Sequence, residues 1–226
     1  MKFNFTEGEV LLIDKPYDWS SFDVVRKIRN KLKIKKLGHA GTLDPLATGL
    51  LIICTGKFTK KINEYQDQEK EYEGELVLGQ TTPSFDMETE VDQTFDISGL
   101  DPASLHKLTA RFIGKTLQTP PIFSAIKVGG ERLYKKARRG EDAVIPPKEI
   151  EIREFELTEI SLPLVKFRVV CSKGTYIRSL VRDFGIEAGS GAYMSALRRT
   201  RIGNFHADQA HKLEEFINTY SVRKDS

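Results

Sequence analysis

The chain has 226 residues, a formal charge of +3 at neutral pH and charged side chains at 30% of its positions. That length supports one substantial core more readily than two domains, and its two cysteines, Cys54 and Cys171, make neither a disulfide framework nor a metal signature. The start, Met1 to Glu7, lacks the apolar stretch of a signal peptide, and no segment is long and apolar enough to span a membrane. A cytoplasmic protein is expected.

Taken in chain order, Val10 to Ile13 is an apolar run broken by Asp14-Lys15-Pro16 and predicts a core strand entering a loop. Ser20 and Asp23 have capping-box spacing, with Asp in place of the usual Glu. Phe22, Val25, Ile28 and Leu32 then recur at helical intervals, which predicts a helix that buries this stripe and presents Arg26, Lys27, Arg29 and Lys31 outward. A glycine-rich segment follows, and Leu50 to Cys54 reads as a buried segment.

Tyr72 to Leu78 predicts a strand ending near Gly79. Asp101-Pro102 reads as a helix start with Leu105, Leu108 and Phe112 facing inward. Residues 119–147 lose periodicity and gain Pro, Gly and basic residues, which predicts an irregular basic insertion with a Gly129-Gly130 turn. Glu151 to Ile160 and Val165 to Cys171 predict strands, the second with Val165, Phe167, Val169 and Cys171 on one face. Ile177, Leu180, Val181 and Phe184 suit a helix against that sheet, and Leu213, Phe216, Ile217 and Tyr220 a closing helix. The fold class expected is α+β, a mixed and mainly antiparallel sheet with flanking helices.

Three basic clusters stand out: seven Lys or Arg residues and no acid between Arg26 and Lys36, then Arg132, Lys135, Lys136, Arg138 and Arg139, then Arg198, Arg199 and Arg201. Each alone reads more readily as a solvated face than as a phosphate-binding surface, and convergence of the clusters in space would favour the latter. The glycines at 38, 41 and 49 match neither a dinucleotide fingerprint nor a Walker loop. His39, His106, His206 and His211 have no ligand spacing, so no metal site is expected. Asp44 lies in Gly38-His39-Ala40-Gly41-Thr42-Leu43-Asp44-Pro45-Leu46-Ala47-Thr48-Gly49 and has two readings. Asp-Pro makes an ordinary turn by local chemistry alone. A lone carboxylate is also a nucleophile toward an electrophilic carbon, provided a cation keeps it ionised in an enclosed pocket.

That glycine-rich segment, together with Gly8 to Pro16, Ser20-Ser21, Lys70-Glu71-Tyr72, Pro121 to Lys127, Cys171 to Arg178 and Leu197-Arg198-Arg199, resembles the bacterial tRNA pseudouridine synthase B family in family order across most of residues 8–202. The resemblance implies the pseudouridine synthase fold and the conversion of the T-loop uridine at tRNA position 55 to pseudouridine, without a cofactor and without an obligate protein partner. By the same resemblance Asp44 is the catalytic aspartate, Arg178 pairs with it, and Tyr176 handles the proton near C5. Tyr72 packs against the target base, Leu197 is an apolar pocket wall, and His39 meets the T loop where the nucleotide leaves its stack. Lys15 and Pro16 fall in the family's first motif, where support of the active-site loops and substrate is implied. A noncatalytic tRNA-binding or RNA-folding protein is the alternative of a different class.

Two departures qualify the match. Thr89 stands where the family's Gly79-to-Thr89 loop carries a glycine after an acidic residue, although Asp86 is present. Many family members also carry a small C-terminal RNA-binding domain. Here residues 1–226 read as one catalytic domain with the insertion at 119–147 and no separate RNA-binding domain.

Overall fold

A computed structural model describes residues 3–124, 126–137, 139–141 and 143–220; Ala125 of the family motif and Arg138 of the second basic cluster lie outside the described residues. The chain forms two compact units, Met1–Tyr72 with Leu197–Ser226, and Glu73–Ala196. Two strands, Lys70–Leu78 and Ala192–Ile202, run through both boundaries.

In the first unit, Val10–Lys15 lies antiparallel to Thr48–Thr55 and parallel to the short strand His211–Lys212. The far edge of Thr48–Thr55 is shared. Leu37–Ala40 pairs antiparallel with its second half, while Arg198 and Arg199 run parallel to Thr48 and Gly49. Both faces of this strand are covered, which is why its sequence is a continuous apolar run rather than an alternating one. Leu51 and Ile53 pack with Leu11, Ile13, Val25, Ile28 and Phe216, and Leu50, Ile52 and Cys54 pack with Ala40 and Ile202. Each buried Leu, Ile, Val or Phe among them contributes roughly 1.5–3 kcal/mol by leaving water.

Helix Ser21–Leu32 has the expected capping box: Ser20 accepts from the Asp23 N–H, and the Asp23 side chain accepts from the Ser20 N–H. Its buried stripe differs from the expected one. Ser21, Val24, Val25, Ile28 and Leu32 face inward, whereas Phe22 is 59% exposed. The inward register begins at Ser21 because its hydroxyl and Leu43 share two hydrogen bonds, Ser21 Oγ to the Leu43 carbonyl at 3.2 Å and Leu43 N–H to Ser21 Oγ at 2.9 Å.

In the second unit, Lys148–Ser161 pairs antiparallel with Leu164–Cys171 on one side and with Gly114–Gln118 on the other. Phe155, Phe167, Phe184 and Phe112 form a chain of edge-on and tilted rings with centroids 5.6–6.1 Å apart. Helix Ile177–Glu187 buries Ile177, Leu180, Val181 and Phe184 as the spacing predicts. Helix Pro102–Leu108 starts at Asp101, whose side chain accepts from the Ser104 N–H. The architecture is α+β, with a mixed, mainly antiparallel sheet and flanking helices. Among the described residues no helix is long and apolar enough to cross a membrane.

The insertion is more regular than its sequence suggests. It holds a small hairpin, Lys127–Val128 with Glu131–Arg132, turned at Gly129-Gly130, and a short helix, Leu133–Ala137. Elements of two and five residues are too short to leave a periodic signal.

Candidate active site

Residues 41–47 join Leu37–Ala40 to Thr48–Thr55, and their path is set by backbone geometry and by buried cations. The Ala47 N–H donates to the Asp44 carbonyl at 3.1 Å, closing a turn with Pro45 at its second position, where a fixed φ is favourable. The structural reading of Asp-Pro therefore holds for the backbone. That turn bond is accepted by the Asp44 carbonyl.

Lys15 is fully buried and its amine donates to three carbonyls: Trp19 at 2.5 Å, Pro16 at 2.9 Å and Pro45 at 3.1 Å. The Pro45 carbonyl also accepts from the Asp18 N–H at 3.0 Å. On the other flank Arg199, 1% exposed, donates through Nε to the Leu50 carbonyl at 2.8 Å, and through its terminal nitrogens to Thr42 at 3.4 Å and Gly41 at 3.3 Å. Gly49 permits this approach. It has φ +99°, and a Cβ there would meet the Arg199 carbonyl oxygen at 2.3 Å. Lys15, Ser21 and Arg199 thus grip the main chain on both sides of Asp44, which is half-buried.

Burial lowers the Lys15 amine from its ordinary 10.5 to about 8; Asp44 is the strongest of the carboxylates opposing the fall, and Arg199 adds to it. Between those two values the unfolded chain binds more protons than the folded one, so this group makes stability rise with pH across that window. Lys15→Met is expected to remove that rise in urea unfolding measured through the window. It should also cost about 1–3 kcal/mol for each buried carbonyl left unpaired. An unchanged pH slope in the variant would refute the assignment.

His39 sits on Leu37–Ala40 opposite Ile53. Burial holds its imidazole below the ordinary value, and Arg199 acts in the same direction. Leu197 is buried on Ala192–Ile202, immediately before the two arginines that pair with Thr48 and Gly49. Tyr72 is buried at the start of Lys70–Leu78, two residues after Lys70, whose buried amine donates to the Gln66 and Gln68 carbonyls. Lys15, His39, Asp44, Tyr72 and Leu197 all belong to the first unit.

Tyr176 and Arg178 belong to the second. Tyr176 is the residue preceding helix Ile177–Glu187, and the Gln118 side chain clasps its backbone: Tyr176 N–H to Gln118 Oε1 at 2.8 Å, and Gln118 Nε2 to the Tyr176 carbonyl at 3.1 Å. Arg178 is 3% exposed. Its guanidinium donates to the Ser84 carbonyl at 3.1 Å and the Phe123 carbonyl at 2.9 Å, and its Nε lies 3.5 Å from Asp86 Oδ2. The other Asp86 oxygen accepts from the Ser84 hydroxyl at 2.6 Å and the Glu88 N–H at 2.9 Å. Thr89, at the position where the family loop has glycine, accepts from the Ser84 N–H at 3.1 Å, so its hydroxyl closes the loop.

The three basic clusters part company. Arg198 forms a paired contact with both Asp14 oxygens at 3.0 Å, Arg199 is the buried clamp, and Arg201 pairs with Glu69 at 2.8 Å. The third cluster is therefore tied into the fold through Asp14, the Asp44 loop and Glu69. In the first, Arg29 is drawn to the Leu37 carbonyl and Lys27 to Glu214, while Arg26, Lys31, Lys33, Lys35 and Lys36 are exposed. Among the described residues no group of three or more His, Cys, Asp or Glu is arranged to hold a metal ion.

Sequence reading missed Ser21, Gln118 and Arg199 as supports. The last was visible only as one of three neighbouring arginines, and nothing local separates a buried arginine from an exposed one.

Comparison with known proteins bears on the same residues. Residues 29–177 match the family model described as TruB family pseudouridylate synthase (N terminal domain), and residues 178–226 match tRNA pseudouridylate synthase B C-terminal domain. The chain is 55% identical over 213 residues to tRNA pseudouridine synthase B of Flavobacterium johnsoniae, covering 91% of this chain and 93% of that protein. It is 52% identical over 219 residues to the protein of the same name from Phocaeicola vulgatus, covering 94% and 93%. Among solved structures, a chain of a Cbf5-Nop10-Gar1 complex is 29% identical with a TM-score of 0.75, covering 96% of this chain and 55% of that one. A chain of an H/ACA RNP bound to a substrate RNA containing 2′-deoxyuridine is 27% identical with a TM-score of 0.72, covering 96% and 54%. The present chain spans about half the length of those solved chains. The clamped Asp44 loop falls inside the segment matched by the N-terminal family model, and the chain belongs to the TruB family of pseudouridylate synthases.

Proposed function

We propose that this chain isomerises the uridine at position 55 in the T loop of tRNA to pseudouridine, with Asp44 as the reacting carboxylate. Family membership supports the reaction class, and the gripped loop supports the residue. The observation that carries the reading is that two buried cations, Lys15 and Arg199, spend their donors on main-chain carbonyls flanking Asp44. Such anchoring holds the loop that carries a reactive group in place.

The reaction breaks the N1 glycosidic bond of uridine, turns the base, joins C5 to the ribose and releases the C5 proton. Substrate and product have the same atoms, so the isomerisation balances without an oxidant, reductant or group donor. A carboxylate serves it by attack on the sugar C1′, by attack on base C6, or as a base in an elimination route. The base must leave its stack at a cost of a few kcal/mol. The roles that the family resemblance gives to Tyr72, Tyr176, Arg178, Leu197 and His39 belong to the same proposal. Stacking on Tyr72 and the apolar wall at Leu197 would offset part of the unstacking cost.

The test is tritium release from 5-tritiated uridine in a T-arm RNA. Release with formation of pseudouridine is expected; free uracil as the product would overturn the isomerase reading. Exposed Lys31, Lys33, Lys35 and Lys36, with Lys135 in the insertion, suit phosphate contact, which positions RNA without reading its sequence. Activity at subsaturating RNA should therefore fall steeply with ionic strength. A flat profile across a broad salt series would count against extensive phosphate contact.

A further inference from the structure

The insertion contains an exposed charge cluster that takes no part in the chemistry at Asp44. Arg139 donates from its two terminal nitrogens to the two oxygens of Glu131, each at 2.8 Å, and from Nε and one terminal nitrogen to Glu141 at 2.6 and 3.0 Å. All three guanidinium nitrogens are engaged, in the bidentate geometry that an arginine otherwise offers to phosphate. Hydrogen bonds from Arg139 hold both carboxyls below the usual carboxylate range, so both are ionised at neutral pH and the cluster carries one net negative charge.

Main-chain bonds fix the three positions. Glu131 lies on the hairpin strand Glu131–Arg132. After helix Leu133–Ala137 the Arg139 and Glu141 N–H groups both donate to the Lys136 carbonyl, at 2.9 and 3.1 Å, and Gly140 at φ +71° makes the turn between them. Sequence places Arg139 in the second basic cluster, yet the fold sets it between two acids. Among the described side chains, Arg132, Lys135 and Lys136 hold the insertion's remaining positive charge.

We infer that Glu131 and Glu141 are specificity-determining residues that keep Arg139 away from RNA phosphate. The inference rests on the RNA-modifying reading above. A phosphodiester competes for the same guanidinium fork, so the two acids weaken the insertion's attraction for any RNA backbone. Discrimination then depends more on contacts that only the correct RNA shape provides. Specificity is a difference of affinities, and a repulsive element aimed at wrong partners raises it.

The experiment measures binding of a T-arm hairpin and of an unrelated hairpin of equal length over a salt series. The proteins are the wild-type chain, R139A, E131Q/E141Q, and the triple variant E131Q/E141Q/R139A, with tritium release on the T arm recorded in parallel. Arg139→Ala should leave the slope of log affinity against log salt unchanged on both RNAs. E131Q/E141Q keeps oxygen acceptors but removes both charges. It should steepen the slope by about 0.7–0.9, the value of one gained phosphate, and tighten the unrelated hairpin more than the T arm. The triple variant should return to the wild-type slope. If R139A flattens the wild-type slope by about one phosphate, or E131Q/E141Q leaves it unaltered, while tritium release persists, the inference alone is overturned. A wild-type chain that neither binds these RNAs nor releases tritium overturns the functional reading and the inference with it.

Discussion

Asp44→Asn is expected to lower pseudouridine formation by at least about a thousandfold, the scale on which removing a reacting side chain acts, while tRNA binding stays within about threefold. The amide keeps the size of the carboxylate but has neither its charge nor its basicity, so every route open to Asp44 is closed. The fold should be spared. The turn at residues 44–47 uses the Asp44 carbonyl, Asn is favoured at that turn position, and the flanking carbonyls are held by Lys15 and Arg199. Single-turnover tritium release and filter binding on the same tRNA separate the two effects. Product formation near the wild-type rate would remove Asp44 from the chemistry. A wild-type chain that bound tRNA but formed no product would instead favour the RNA-binding alternative.

A large effect on stability is expected at Asp86. Its carboxylate and the Arg178 guanidinium are both nearly inaccessible, with side chains 4% and 3% exposed and Nε 3.5 Å from Oδ2. Removing one member of a buried ion pair costs about 3–5 kcal/mol, because the remaining charge stays desolvated. Asp86→Ala also strips the acceptor from the Ser84 hydroxyl and the Glu88 N–H, which shape the loop behind Phe85 at its left-handed φ of +64°. Asp86→Asn keeps an oxygen there and should cost distinctly less. Urea unfolding of both variants, with the denaturant slope checked for constancy, measures the difference. Equal and small losses in the two would mean that Arg178 is held by the Ser84 and Phe123 carbonyls without help from the carboxylate.

Much of the framework was legible in the sequence because it is local. The Ser20/Asp23 capping box, the Asp101-Pro102 helix start and the alternation through Val165, Phe167, Val169 and Cys171 appear in the structure where their spacing puts them. Phe22 was misread because helical spacing alone fits two neighbouring stripes. The choice fell to Ser21 through its bonds to Leu43, twenty-two residues away. Strand Ala192–Ile202 escaped notice because arginines interrupt its apolar pattern and the inward positions change phase along it, through Ala192, Met194, Leu197, Arg199 and Ile202.

By itself the sequence determined the α+β class, the main core strands and helices, and the ordered family motifs that single out Asp44. Those features depend on side-chain period and on residue types at short range. Tertiary structure alone decided what each cation does. Arg198, Arg199 and Arg201 lie within four residues on one strand, yet one pairs with Asp14, one is buried against the carbonyls of the Asp44 loop, and one faces Glu69. Arg139, equally basic by composition, is claimed by two glutamates. The physical reason is that an arginine's environment is set by which strand, loop or acid is brought beside it. Those partners come from residues up to 184 positions away, beyond the reach of any local pattern.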